Sequence, residues 1–151
     1  MKFTQSCIIA AHRETLWNFL MDTEKVARCL SGVEGVTRLD NDTYEGTLKV
    51  KVGPVSLTLQ GTLRVEARDQ ECWHGAMKAD ARDRKLGGGV RASMSMDLRE
   101  KGPGKTEMLV ALDAQIYGKM GEFRQELIKK KADTMMVEFS ENVSRQLGMI
   151  E

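Results

Sequence analysis

The side chains able to do acid-base, nucleophilic or metal chemistry are few in this chain, and they do not cluster. His12 and His74 are the only histidines, and neither stands with cysteines or carboxylates at the spacing of a metal ligand set, so no metal site is expected. Cys7, Cys29 and Cys72 are odd in number and far apart. They read as reduced thiols rather than a disulfide framework. Gly104-Lys105-Thr106 imitates the end of a phosphate-binding loop, but Arg99 occupies the place of its first glycine and strand-like sequence follows, so the segment reads as a hairpin. General acid-base work is left to Tyr44, with Tyr117, Asp113 or His74 as the remaining candidates. A set this thin points to a protein that is not an enzyme. The minority alternative is a cyclase or dehydratase with Tyr44 or His74 as its acid.

The elements that must position these groups are legible as alternation. From Val55 to Arg68 the odd residues Val55, Leu57, Leu59, Gly61, Leu63, Val65 and Ala67 form an apolar face, and the even ones, ending in Arg68, form a polar face. Leu48, Val50 and Val52 repeat the division, as do Val90, Ala92, Met94, Met96 and Leu98, and then Met108, Val110, Leu112, Ala114 and Ile116. Trp73, Gly75, Met77, Ala79 and Ala81 alternate less cleanly. This is the signature of an antiparallel sheet with one dry face. Turns fall at Asp40-Asn41-Asp42, Gly53-Pro54, Asp69-Gln70, Leu86 to Gly89 and Lys101 to Gly104. Ahead of the meander, Lys2 to Ile9 reads as a strand, Arg13 to Met21 as a short helix, and Asp22 as the cap of a second helix reaching Leu30. Val33 to Leu39 reads as a short strand. From Lys119 to about Leu147, Met120, Phe123, Leu127, Met135, Phe139, Val143 and Leu147 recur at helical spacing with nothing to break the run. The expected fold class is α+β: a curved antiparallel sheet of about seven strands wrapped round a long C-terminal helix, with two short helices near the N-terminus.

Such a sheet encloses a space, and the residues facing it are small or adaptable. Gly61, Ala79 and Ala92 lie among Met77, Met94, Met96 and Met108, while aromatic residues make up 5% of the chain. Filling the interior to native density with so little bulk is difficult, and methionine suits an irregular apolar wall. We therefore expect a cavity for a lipophilic small molecule, lined by these residues together with Leu48, Val50, Leu57, Leu59 and Val110 from the strands. Trp17, Phe123 and Leu127 would complete it from the helices. In an up-and-down meander alternate connections share one end, so Gly53-Pro54, Gly87-Gly88 and Gly118 to Gly121 should meet. Glycine also simply suits turns, and a gated mouth is the sharper reading of the three segments.

Composition sets the outer limits. The 151 residues, 41% hydrophobic with no composition break, read as one domain spanning 1–151. Lys and Arg number 23 against 22 Asp and Glu, a net charge of +1, which gives no global field for nucleic acid. No signal segment or run of eighteen apolar residues is present, so a cytoplasmic location is expected. Lys129-Lys130-Lys131 reads as a solvated face that permits at most transient contact with an anionic membrane surface.

Certain motifs carry a family resemblance. Leu16 to Val36, LWNFLMDTEKVARCLSGVEGV, resembles the helix-turn-helix signature of the carbon monoxide dehydrogenase G-subunit family. Tyr44-Glu45-Gly46, Lys51-Val52-Gly53-Pro54, Gly61 and Tyr117-Gly118-Lys119 with Gly121 follow in order, and the likeness runs from Phe3 to Leu147. Ser31 stands where the family pattern has proline. The resemblance implies a START-like helix-grip fold and a single START-like ligand-binding domain. It also implies a carrier of quinone or another lipid, with no tightly bound cofactor, working beside a carbon monoxide dehydrogenase-like molybdenum hydroxylase. A recruitment or maturation factor with an incidental cavity is the alternative. Long members of the family continue into a membrane-binding helix, whereas this sequence stops at Glu151, so a soluble shuttle or a cytosolic assembly partner is expected rather than an anchor.

Overall fold

The structure, a computed structural model, describes residues 1–150. Seven strands form one antiparallel sheet in the order β1-β7-β6-β5-β4-β3-β2. They are β1 (Lys2–Ile9), β2 (Val33–Arg38), β3 (Thr43–Val52), β4 (Val55–Asp69), β5 (His74–Arg82), β6 (Gly88–Gly102) and β7 (Lys105–Gly118). The order is a plain meander from β2 to β7, closed by β1 pairing back onto β7. Helices α1 (Arg13–Leu20) and α2 (Thr23–Arg28) fill the crossover between β1 and β2. The Asp22 carboxylate accepts from the Lys25 amide at 3.2 Å, capping α2 as its sequence position predicts.

The C-terminal helix departs from the expected single run. Lys119–Glu122 form one 3-10 turn, Phe123 is extended, and α3 opens only at Gln125, continuing to Ile150. Gly118, with φ +68, turns the chain out of β7, and Gly121 adds a second poor helix former in the same stretch. Met120 thereby drops into the core, 4% exposed. The remaining helix is about 39 Å long and crosses the concave face of the sheet. Its backbone comes close to β1 and β3 among the strands.

A bulge changes one expected face. Val65 stands opposite Met77 but Ala67 stands opposite Ala76, so Glu66 is an extra residue and the alternation reverses beyond it. Ala67, expected on the dry face, shares a register with outward-facing Ala76, and Arg68, expected outside, lies opposite inward-facing Gly75. Arg68 uses that position to pair with Asp42 and the Asn41 carbonyl of the β2–β3 turn.

Asp83 organises the β5–β6 turn. Only 4% exposed, its carboxylate accepts from Lys85 at 2.8 Å, Leu86 at 2.9 Å and, across the sheet, Thr58 at 2.8 Å. The amides of Leu86 first and Thr58 next hold its carboxyl below the usual carboxylate range. Asp83→Ala strands three backbone donors and is expected to cost about 2–4 kcal/mol in urea unfolding at neutral pH. Because the folded pKa is depressed, the carboxylate's contribution is complete above the ordinary Asp pKa of about 4 and is lost as pH falls through the folded value. An Asp83→Asn variant should therefore approach the parent's stability in acid and fall short of it at pH 7.

Candidate functional site

The strand registers assemble the concave face as rows running across the sheet. One row is Tyr44, Leu63, Ala79, Ala92 and Ala114; the next is Val65, Met77, Met94, Leu112 and Phe3. On the far side of the methionine row lie Gly75, Met96, Val110 and Gln5. The sheet thus presents a floor of alanines beside a wall of methionines, as the alternation predicts.

Two apolar cores close the ends of this floor. The first joins Ile9, Leu16, Trp17, Leu98, Met108, Val110, Phe139, Val143 and Leu147, with Met94, Met96 and Met136 packed at its margin. The second joins Val52, Leu57, Leu59 and Met120, with Leu48, Val50, Ala81, Phe123 and Leu127 at its margin. Met77, Ala79, Ala92, Leu63, Val65 and Leu112 belong to neither core and remain partly exposed although they face inward. The fifteen expected lining residues are therefore divided. Most of them pack into the two ends, and Met77, Ala79, Ala92 and Gly61 lie between.

Smallness has different causes at different positions. At Gly61 an added Cβ would strike the Asp80 carbonyl and lie 2.6 Å from the Ala81 Cα, so close approach of β5 requires glycine there. At Gly75 the same Cβ would meet the Met96 methyl at 3.4 Å and the Ala67 carbonyl at 3.6 Å, both ordinary contacts. The glycines at the β5–β6 and β7–α3 connections meet. Gly88 and Gly118 are paired across β6 and β7, and the Lys119 amide donates to the Gly87 carbonyl at 3.0 Å. A Cβ at Gly53 would sit 3.4 Å from the Leu127 side chain, and Pro54 beside it and Gly121 are exposed.

The groups with chemical potential are sorted by the sheet. His74 faces outward and hydrogen-bonds Asp97 through Nδ1 at 2.9 Å. Tyr117 is outside, its hydroxyl 3.3 Å from both Arg82 and Asp80 and its ring under the Arg91 guanidinium at 4.9 Å. Asp113 is exposed opposite Lys2. Of the four candidate acids only Tyr44 is inside. Burial and then Glu107 push the Cys7 thiol up to about 11, and burial raises Cys29 as well, so neither supplies a thiolate near neutrality. Thr106, fully buried, donates to the Ala11 carbonyl at 2.8 Å, which ties the Gly104-Lys105-Thr106 hairpin to the chain entering α1. Among the described residues no three metal-ligating side chains converge, and no helix is long and apolar enough to cross a membrane.

Four features escaped sequence reasoning. Arg13 stacks over Trp73 at 4.3 Å, and Trp73 meets Trp17 edge-on with centroids 5.9 Å apart, closing the end of the floor beneath α1. Trp73 holds φ +54, a conformation no pattern signals. Lys131 is half-buried while Lys129 and Lys130 are exposed, because it stands one turn from both Leu127 and Met135 on the flank of the inner stripe. Finally, two shallow open hollows of about 720 and 390 Å³ lie on the outer face, lined mainly by outward residues such as Lys78, Ser93 and Asp113.

Comparison with known proteins agrees with this geometry. A conserved protein from Geobacillus kaustophilus superposes with a TM-score of 0.89 at 17% identity, over 99% of this chain and 96% of that one. A START superfamily protein from Mycobacterium smegmatis gives 0.71 at 13% identity, over 99% of both chains. The Zhui aromatase/cyclase from Streptomyces sp. R1128 gives 0.67 at 13% identity, over 98% and 93%. No curated protein matches the sequence. At these identities the solved structures show a shared fold. The family model for the carbon monoxide dehydrogenase G-subunit, CoxG, matches residues 6–148, and with the START-like sheet and grip helix in place the chain belongs to that family.

Proposed function

We propose that this protein is a non-catalytic carrier of a lipophilic small molecule, a quinone or lipid, held between the alanine-methionine floor and α3. The observation that carries the reading is the set of inward apolar residues left uncovered between two finished cores. A guest that removed about 300 Å² of apolar surface from water there would gain roughly 7 kcal/mol before the costs of binding. On this reading the ligand is exchangeable rather than a tightly bound cofactor, because apolar contact and not ionic or metal ligation holds it. Entry past the glycine-bearing end would shift the Leu127 side chain, which lies beside Gly53.

The family's description as a component of carbon monoxide dehydrogenase supports a molybdenum hydroxylase of that kind as the partner. Delivery then runs between that enzyme and a membrane surface, from a cytoplasmic shuttle. The same description supports a second reading, a recruitment or maturation factor whose hollow is incidental. The two separate in one experiment. Titration with a fluorescent apolar probe, followed by displacement with a quinone or a phospholipid, should show saturable 1:1 binding if the carrier reading holds. A protein that captures the hydroxylase but shows no saturable probe binding fits only the second.

A further inference from the structure

Tyr44 is a buried inward side chain that lies in neither core. It is 8% exposed, lies in the same cross-strand row as Leu63, Ala79, Ala92 and Ala114, and packs in neither apolar cluster. A buried tyrosine hydroxyl ordinarily finds a partner within the protein. Even the outward Tyr117 hydroxyl has partners, in Arg82 and Asp80. The Tyr44 hydroxyl has no such partner among the described residues. It is not sealed away either, because the one side-chain polar atom among them that is both inaccessible and unbonded is Arg13 Nε. The hydroxyl therefore lies within reach of a water-sized molecule, on a residue whose backbone register turns it towards the concave side of the sheet. Of the other polar side chains at inward register on the methionine side, Gln5 is spent on Asp133 of α3 at 2.8 Å and Arg68 on Asp42.

Resting on the carrier reading, we propose that Tyr44 is the specificity-determining hydrogen-bond donor of the site, and that the preferred guest is an apolar molecule bearing a carbonyl or similar acceptor. The ring supplies apolar contact at the end of the alanine row, and the phenol offers its proton to the acceptor oxygen. No bond is made or broken. The arrangement gives the alanine row one hydroxyl: an apolar pocket with a single placed donor discriminates by leaving that donor unpaired when the guest lacks an acceptor.

The test uses two probes of similar shape, 2-acetylnaphthalene and 2-isopropylnaphthalene, with the parent protein and Tyr44→Phe. The parent should bind the ketone more tightly than the hydrocarbon. Tyr44→Phe should weaken the ketone about ten-fold, the size of one neutral hydrogen bond, and leave the hydrocarbon within about two-fold. The infrared carbonyl stretch of the bound ketone should move to lower frequency in the parent and return in the variant, a readout that altered packing does not produce. Equal losses for both probes, or no loss for the ketone, would overturn the donor role while leaving the carrier reading in place. Failure of the parent to bind either probe would overturn the carrier reading and the donor role with it.

Discussion

Ala92→Trp is expected to abolish ligand binding and to leave the fold standing. Ala92 lies at the centre of the floor, flanked in register by Ala79 and Ala114, and it belongs to neither core. An indole there projects into the space between sheet and helix, over ground a guest would occupy. Overpacking a filled core costs about 1–3 kcal/mol. Here the new side chain covers Met77 and Leu112, which the native protein leaves partly exposed, so burial of the indole offsets the strain. Probe affinity should fall by roughly 100-fold or more, equivalent to about 2.7 kcal/mol, while the thermal midpoint stays within a few degrees. A variant that melts far below the parent would show that the space was already filled. Undiminished affinity in a folded variant would show that the guest sits elsewhere, with the outer-face hollows the next place to look.

Gly61→Ala is expected to damage stability more than any other single methyl group placed on this face. The added carbon would collide with the Asp80 carbonyl and the Ala81 Cα, backbone atoms of the adjoining strand that no rotamer change can move. Relief requires β4 and β5 to separate at the middle of the sheet, and a loss above about 4 kcal/mol belongs to that class of steric conflict. Gly75→Ala is the control. Its Cβ would meet the end of the Met96 side chain, which can swing aside, so its cost should stay near 1 kcal/mol or below. Urea unfolding of the two variants, compared on a common slope, checks the contrast. Equal effects would mean that β5 does not approach β4 as closely as described.

That pair of glycines also shows where reading from sequence stops. Both sit at inward positions, and both read as spare volume from the sequence. Only the distance between adjacent strands separates a glycine that makes room from one that has none. The sheet itself was legible because its face is set by period-two alternation, which survives from Leu48 to Ile116 wherever the register is unbroken. It failed at Glu66, where one extra residue reverses the faces and carries Arg68 to the inner register. The long helix was legible from Leu127 to Leu147 by its apolar stripe. Its start was not, because Met120 and Phe123 fit that stripe while belonging to a 3-10 turn and an extended residue. Sequence put Tyr44 first and kept Tyr117, Asp113 and His74 behind it; strand parity and the partners of Tyr117 and His74 reduce the inward set to Tyr44. The Arg13–Trp73 stack joins residues far apart in the chain and leaves no local trace.

The most direct measurement of the carrier reading is native mass spectrometry of protein purified gently from cells. It should record, beside the free chain, a noncovalent complex with one molecule of lipid or quinone size, and that complex should be missing from Ala92→Trp prepared in parallel. A spectrum of free chain alone, unchanged after incubation with excess quinone or phospholipid, would contradict the account.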